Sequence, residues 1–365
     1  MPREPIRDAS GTEAGTLSVA GQIQPAFPPT RYQGSKRKLL GWIWDQVRRL
    51  PFDTALDAFG GTGSVAYLFK QHGKRVTCND ALAFNHQIGI ALIENDRRPL
   101  GPTDVDRIVA RDPSIEYDDL IERTFSGIYF TDDENRWLDV LAQNIPRLND
   151  RHRRAIAYYA LFQSCIAKRP YNLFHRRNLY MRTADVGRTF GNKTTWDRSF
   201  EDHFRHHVAA ANAALIDTGR PCRAVCGDAM DVPGRFDLVY IDPPYVSARR
   251  IGVDYRAFYH FLEGLTDYTG WEARIDYNSK HRRLQPLSNP WTSADTNLEA
   301  FRRLFRRFAD SILVVSYRSD GSPPTDGLAE LLAEVKPHVH VATFARYQYA
   351  LSTNRRSRET LLIGR

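Results

Sequence analysis

The chain has 365 residues, 42% of them hydrophobic and 26% charged, proportions of a globular protein long enough for one large domain or for a domain with a sizeable insertion. No apolar run approaches the roughly 18 residues needed to cross a bilayer, the N-terminus lacks the charged-then-apolar layout of a secretory signal, and the four cysteines Cys78, Cys165, Cys222 and Cys226 argue against a disulfide framework, so a reducing cytoplasmic setting is expected. The net charge of +8 is carried mostly by arginine. Arginine suits bidentate contacts to phosphate or guanine, although a GC-rich genome would also enrich it.

The residues from 1 to about 28 are rich in Pro, Gly, Ala and Thr without periodicity and are expected to be a disordered leader. Order is expected from Arg31-Tyr32-Gln33-Gly34-Ser35-Lys36, followed by an amphipathic helix from about Lys38 to Leu50. A short strand, Thr54 to Ala58, runs into the glycine loop Phe59-Gly60-Gly61-Thr62-Gly63-Ser64. A helix from Val65 to about His72 follows, then a second strand from Arg75 to Asn79 that ends at Asp80. Such a strand–loop–helix–strand unit builds a parallel sheet.

The sheet pattern then stops. Residues 85–204 read as helical or irregular, with an apolar-periodic helix from Arg154 to Ile166, and another helix runs from about Phe200 to Ile216. Charge changes sign along this stretch. Asp96 to Asp150 is acidic, whereas Arg151 to His206 holds twelve Lys/Arg against four Asp/Glu, interleaved with ten aromatic residues. Charge for phosphates and rings for stacking are what a nucleic-acid surface needs. Strand patterns resume at Arg223–Cys226, 236–241, 311–316, 338–347 and 359–363. One α/β domain interrupted by an insertion accounts for this order.

Three features point to a nucleoside cofactor. Glycines let backbone approach a ligand and adopt positive φ, and the helix N-terminus adds partial positive charge. Asp80 stands 20 residues beyond Gly60, where an acid accepts ribose hydroxyls in nucleotide-binding units. Asp228, after the strand containing Val225, can accept from an adenine amino group. The Gly60-x-x-Gly63 spacing offers no pyrophosphate cradle, so S-adenosylmethionine fits better than a dinucleotide.

The sharpest signal is Asp242-Pro243-Pro244-Tyr245, directly after the apolar run Leu238-Val239-Tyr240-Ile241. Active sites of open α/β sheets lie beyond the carboxyl ends of strands. Two prolines stiffen the turn and remove two N–H donors, so the backbone offers carbonyls. Asp242 adds an acceptor and Tyr245 a ring on which a base can stack. A rigid acceptor-lined pocket grips an –NH₂ group and localises its lone pair for in-line attack on a sulfonium methyl.

Together these residues resemble the Dam-like, class alpha family of DNA adenine-N6 methyltransferases. The resemblance implies a Rossmann-like methyltransferase sheet, mostly parallel with an antiparallel C-terminal strand, over 29–95 and 220–365, with a largely helical target-recognition subdomain inserted at 96–219. It implies cofactor contacts from Tyr32, Lys36, Asp57, Phe59, Gly61, Gly63, Asp80, Asp228 and Asp242, and catalysis by Asp242, Pro243, Pro244 and Tyr245. Val315-Ser316-Tyr317-Arg318-Ser319-Asp320-Gly321 resembles a later segment flanking the pocket. The run from Lys168 to Tyr180 only loosely resembles the family's DNA-contacting hairpin. Lys168, Arg169, Tyr171, Arg176, Arg177, Lys193, Arg249 and Arg250 are the expected contacts to double-stranded DNA. The resemblance leaves open a restriction–modification enzyme, with a cognate restriction endonuclease as partner, or an orphan or phage-type modification enzyme; a membrane is not an expected partner.

Other features are read plainly. Cys222 and Cys226 lack a second ligand pair at zinc spacing, so no metal is expected. His203, His206 and His207 are expected on a solvated helix face, and Glu263 and Asp267 as helix-surface acids. Residues 247–291 are expected to form a mobile loop that closes over a flipped base. Methylation of cytosine N4, methylation of RNA adenine and DNA binding with a vestigial cofactor pocket remain the rival functions.

Overall fold

A computed structural model describes residues 25–184, 193–344 and 357–365. Seven strands form one sheet: β1 (Thr54–Asp57), β2 (Arg75–Asp80), β3 (Arg223–Cys226), β4 (Leu238–Ile241), β5 (Ile312–Arg318), β6 (Val339–Phe344) and β7 (Glu359–Gly364), in the order β3-β2-β1-β4-β5-β7-β6. β3 to β5 pair in parallel, while β7 enters antiparallel between β5 and β6. The architecture is a Rossmann-like α/β sheet with helices on both faces. Chain order reverses between β1 and β4, which makes the crevice at their carboxyl ends the place where an open α/β sheet binds ligands.

The apolar runs in these strands are nearly continuous because both faces are covered. Side chains alternate between the two layers with the period of a strand. Ala55, Leu238, Tyr240, Val314, Leu361 and Ile363 face one buried cluster. Leu56, Val239, Ile241, Leu313, Val315 and Leu362 face the other. The second layer is completed by the helices Asn297–Arg307 and Thr325–Ala333.

The first layer continues into the inserted helices. Arg151–Ala167 packs against both Phe200–Ala213 and Ala83–Gly89, and Ile156, Leu161 and Phe204 belong to the same cluster as the sheet residues. Asp150 accepts hydrogen bonds from the His152 and Arg153 backbone, so the helix starts three residues before the apolar period suggests.

Three expectations need correction. Most of the leader, residues 1–24, lies outside the described residues, but order begins before 28. Phe27 is buried edge-on against Tyr67, with ring centroids 5.2 Å apart, and Gln71 donates to the Pro25 carbonyl at 2.8 Å. The segment 247–291 is largely built into the protein: it carries the helices Tyr255–Phe258, His260–Leu265 and Tyr268–Trp271, and Tyr259, Phe261, Leu262, Leu265 and Trp271 are buried. His203 is buried and pairs with the Thr195 carbonyl at 2.8 Å, so it does not sit on a solvated face. The tail of the expected strand beyond Phe344 lies outside the described residues.

Candidate active site

The elements at the carboxyl edge of the sheet gather Tyr32, Lys36, Asp57, Phe59, Gly61, Asp80, Asp228, Asp242 and Pro244 around one cavity of about 520 Å³, whereas Gly63, Pro243, Tyr245 and the expected DNA contacts do not line it; the Tyr245 ring packs edge-on against Tyr317. The glycine loop leaves β1, Asp80 ends β2, Gly227-Asp228 follow β3, and Asp242 follows β4. Tyr32 and Lys36 reach the cavity from the segment preceding the first helix.

The glycine loop is shaped by contact and by φ. A Cβ on Gly60 would stand 2.4 Å from the Cys78 sulfur, so only glycine lets the loop lie this close to β2. Gly63 has φ +76° and precedes the helix Ser64–Gln71, a conformation that favours glycine. Asp80 secures the loop: Oδ2 accepts from the Gly61 backbone at 2.8 Å and Oδ1 from Leu82 at 2.9 Å. Burial raises its pKa against the help of those two donors.

Asp57 is buried beneath the loop. Its Oδ2 accepts from the Ala66 backbone at 3.1 Å, while Oδ1 has no hydrogen-bond partner. Burial, with a contribution from the charge of Asp242, pushes this carboxyl up to about 8. An orphaned carboxylate oxygen lining the cavity fits an ammonium group, which is how an amino-acid tail would be held.

Tyr32 is stacked between Tyr259, at 4.7 Å and 8° between planes, and Tyr255, at 5.6 Å and 11°. Tyr259 in turn accepts from the Gln33 backbone at 2.8 Å. Phe59 meets Trp291 edge-on at 4.9 Å, and Trp291 also lines the cavity. Asp228 is exposed at the rim and accepts from the Met230 backbone at 3.0 Å.

Asp242 and Tyr245, both half-buried, join a polar cluster with the buried Lys36 and Glu359. The Lys36 ammonium donates to Asp242 Oδ1 at 2.7 Å and to the Tyr245 hydroxyl at 2.6 Å. The Tyr245 hydroxyl lies 2.9 Å from Asp242 Oδ1 and 2.7 Å from Glu359 Oε1. Burial raises the Asp242 pKa most, Lys36 opposes the rise and Glu359 adds to it. Pro243 is buried and Pro244 lines the cavity, so the turn is held rigidly.

The family model of the D12 class N6 adenine-specific DNA methyltransferases matches residues 32–319. The chain belongs to this family. It is 28% identical over 337 residues to the Type II methyltransferase M2.HphI of Haemophilus parahaemolyticus, covering 87% of this chain and 94% of that relative. It is 21% identical over 332 residues to the Type II methyltransferase M.CviAII of Paramecium bursaria Chlorella virus 1, covering 88% and 93%. The protein is thus an adenine-specific DNA methyltransferase, which takes a methyl-donor cofactor and acts on DNA.

The expected DNA contacts of this methyltransferase divide into two groups. Tyr171, Arg176, Arg177, Lys193, Arg249 and Arg250 are exposed, with Lys193 paired to Asp197 at 2.8 Å and Arg250 paired to Asp295. Tyr171 is 65% exposed and has φ +62°, uncommon for a residue other than glycine. Lys168 and Arg169 are instead buried and cannot reach a phosphate in this conformation. Lys168 pairs with Glu134 at 2.8 Å and donates to the Arg198 carbonyl at 2.7 Å. Arg169 donates to the carbonyls of Leu173 at 3.0 Å and Arg176 at 2.9 Å, with its guanidinium 4.4 Å from the Tyr129 ring centre.

Two acids of the site were not found from sequence. Glu263, expected on a helix surface, is buried at the cavity and accepts from the Ala83 and Phe84 backbone at 3.1 Å each, capping the helix Ala83–Gly89. Asp267 caps the helix Tyr268–Trp271 through the Gly270 backbone. Glu359 opens β7, which is buried along its whole length. The available signal for Glu263 and Glu359 was an acid set in an otherwise apolar run.

Proposed function

We propose that this methyltransferase transfers the methyl group of S-adenosylmethionine to the exocyclic N6 of adenine within a specific sequence of double-stranded DNA, after the base has left the stack. The observation that carries the proposal is the placement of Asp242 and Pro244 beside the glycine loop, on neighbouring strand ends that share one cavity. Binding and chemistry then meet where the sheet is most open.

S-adenosylmethionine, when bound, supplies a methyl group made electrophilic by its sulfonium. Asp57 Oδ1 would take the ammonium of the amino-acid tail, Asp80 the ribose hydroxyls, and Asp228 the adenine amino group. Tyr32 and the rings beside it would close over the nucleoside. Asp80 Oδ2 already accepts from the glycine loop and Oδ1 from Leu82, and a carboxylate has about four lone-pair sites, which leaves capacity for a ligand.

On the DNA side, the turn acts as an acceptor pair. Asp242 and a carbonyl of the Pro243-Pro244 segment accept from the target amino group. This localises the nitrogen lone pair and favours the positive charge that develops during transfer. The amino nitrogen must shed one proton, and a carboxylate whose pKa is raised by burial is well matched to receive it. Tyr245, fixed through its hydroxyl, offers its ring to the extruded base.

The inserted segment, bounded at about 96 and 219, is proposed to read the DNA. Tyr171, Arg176, Arg177 and Lys193 would meet the duplex directly, with Arg249 and Arg250 beyond the catalytic turn. Lys168 and Arg169 would serve by holding that surface in shape. A sequence-specific modification enzyme of this kind would be paired with a cognate restriction endonuclease. The test is incubation with duplex DNA and S-adenosylmethionine labelled on its methyl group, followed by nucleoside digestion. Label recovered as N6-methyladenine from one sequence supports the reading. Label in cytosine, in RNA alone, or in neither overturns it.

A further inference from the structure

The chain leaves the cavity at Pro244 and returns to it at Asp254. Between these points residues 246–252 fold back as a hairpin. Val246 bridges antiparallel to Gly252, the Ser247 backbone donates to the Ile251 carbonyl at 2.9 Å, and the Arg250 backbone donates to the Ser247 carbonyl at 2.8 Å. Arg250 has φ +65°, the left-handed residue that closes a three-residue hairpin loop.

The base of this hairpin is fixed and its tip faces solvent. Val246 is fully buried; its backbone donates to the Tyr317 hydroxyl at 3.2 Å and accepts from Ser322 at 2.9 Å. The Val253 backbone donates to the Tyr245 carbonyl at 3.1 Å, which joins the hairpin to the catalytic turn. A Cβ on Gly252 would stand 2.0 Å from the Thr292 carbonyl oxygen, so the returning strand is pressed against the segment that carries Trp291. Ala248, Arg249, Arg250 and Ile251 are exposed. Ile251 is 68% exposed. Three residues of chain span at most about 11 Å, so Ile251 stands close to the rim that Asp254 forms.

A single exposed isoleucine is ordinary on a protein surface. This one combines three further properties. Its β-branched side chain has little rotamer freedom to lose. It is mounted on a braced hairpin continuous with the turn that meets the target base. Arg249 and Arg250 precede it, the latter also paired with Asp295, and they put positive charge where phosphates would pass. Extruding a paired adenine costs stacking and pairing. Proteins that open a base step commonly fill it with an apolar wedge.

We propose that Ile251 is a positioning residue for base extrusion: it enters the duplex from the catalytic side and fills the place that the target adenine vacates, while Arg249 and Arg250 contact the flanking phosphates. The proposal rests on the target adenine leaving the stack. With its place filled, the base is held out beside Asp242 and does not return.

The experiment uses the full chain and a duplex carrying the sequence found methylated in cells that express it. Extrusion is read from the fluorescence of 2-aminopurine at the target position, which rises when the base unstacks. Single-turnover transfer is measured with adenine there, once paired with thymine and once mismatched with cytosine, since a mismatched base is easier to extrude. Ile251→Ala should keep the wild-type Tm and S-adenosylmethionine affinity, reduce the fluorescence rise, and slow transfer to the paired duplex by about tenfold. On the mismatched duplex the loss should shrink to about threefold or less. Ile251→Leu, which keeps the volume, should stay within about twofold of wild type.

Wild-type fluorescence and rate in Ile251→Ala on the paired duplex overturn the proposal. An equal loss on both duplexes also overturns it, because that marks a general DNA contact. Leu287 is equally exposed at 68% and lines the cavity, which makes it the rival wedge. A mismatch-sensitive loss in Leu287→Ala and not in Ile251→Ala overturns the proposal as well. The wild type separates the levels. If its binding produces no fluorescence rise, extrusion itself falls and the proposal with it. If the rise is present and Ile251→Ala shares it in full, only the wedge falls.

Discussion

Asp57 and Asp242 follow one another around the carboxyl edge of adjacent parallel strands, and the charge of Asp242 adds to the burial that pushes the Asp57 carboxyl up to about 8. This upward shift favours the protonated form of Asp57 in the empty site. Pairing with an ammonium requires the carboxylate. Binding of S-adenosylmethionine near pH 7 should therefore release protons, seen by calorimetry in buffers of different ionisation enthalpy. Asp57→Asn should bind more weakly and release none. Equal proton release by both proteins would remove Asp57 from the ammonium site.

Asp80 joins loop geometry to ligand binding, so its replacement should have two effects. Asp80→Ala leaves the Gly61 and Leu82 backbone donors without their acceptor and should lower Tm by a few degrees. It should also weaken S-adenosylmethionine by about 1.5–3 kcal/mol, the value of a charge-assisted hydrogen bond. Thermal melting and calorimetry on the same preparation report both. A fall in Tm with unchanged cofactor affinity would confine Asp80 to a structural role.

The basic residues of the insertion should separate in the same way. Replacing Arg176 and Arg177 with Ala removes two exposed charges and should lower the slope of log K against log salt by about 1.8 in magnitude if both contact phosphate of B-DNA, with Tm unchanged. Arg169→Met leaves the Leu173 and Arg176 carbonyls unpaired. It should destabilise the protein and weaken DNA binding indirectly. Binding titrations over a range of salt, with melts alongside, check this. A normal salt slope in the double variant would place the DNA elsewhere.

These contrasts show what sequence carried and where it stopped. Strands buried on both faces announce themselves as apolar runs, and the glycine loop and the Asp-Pro-Pro-Tyr turn are local patterns, so the sheet and most cavity residues were legible. Lys168 and Arg169 were not separable from Arg176 and Arg177, because which basic side chain folds inward depends on Glu134 and the carbonyls of a loop that forms only in the folded protein. Glu263 and Glu359 escaped for a related reason: their partners are 179 and 114 residues away in sequence. The segment 247–291 looks like a mobile loop in sequence because it is long, aromatic and basic and follows the catalytic turn, but in the fold its aromatic residues cover Tyr32 and close the first core layer.

The pH dependence of transfer follows from Asp242. Its pKa is raised by burial beyond what Lys36 offsets, and the carboxylate is the form that accepts from the amino group. Activity should be full above that raised pKa and be lost as pH falls through it, at a higher pH than an exposed aspartate would show. Single-turnover rates at saturating DNA and cofactor measure the limb directly. A flat profile down to the ordinary carboxylate range would show that Asp242 is not required in ionised form.

The central claim is that Asp242 accepts from the adenine amino group as the methyl is transferred. It is tested most directly by single-turnover transfer of labelled methyl to duplex DNA by Asp242→Asn, which keeps the size of the side chain and removes the charge. The account predicts a rate lowered by about a hundredfold or more, in the range of losing one preorganised electrostatic contact in a transition state, with specific DNA affinity within a few-fold of wild type. Transfer at close to the wild-type rate by a folded Asp242→Asn protein would contradict it.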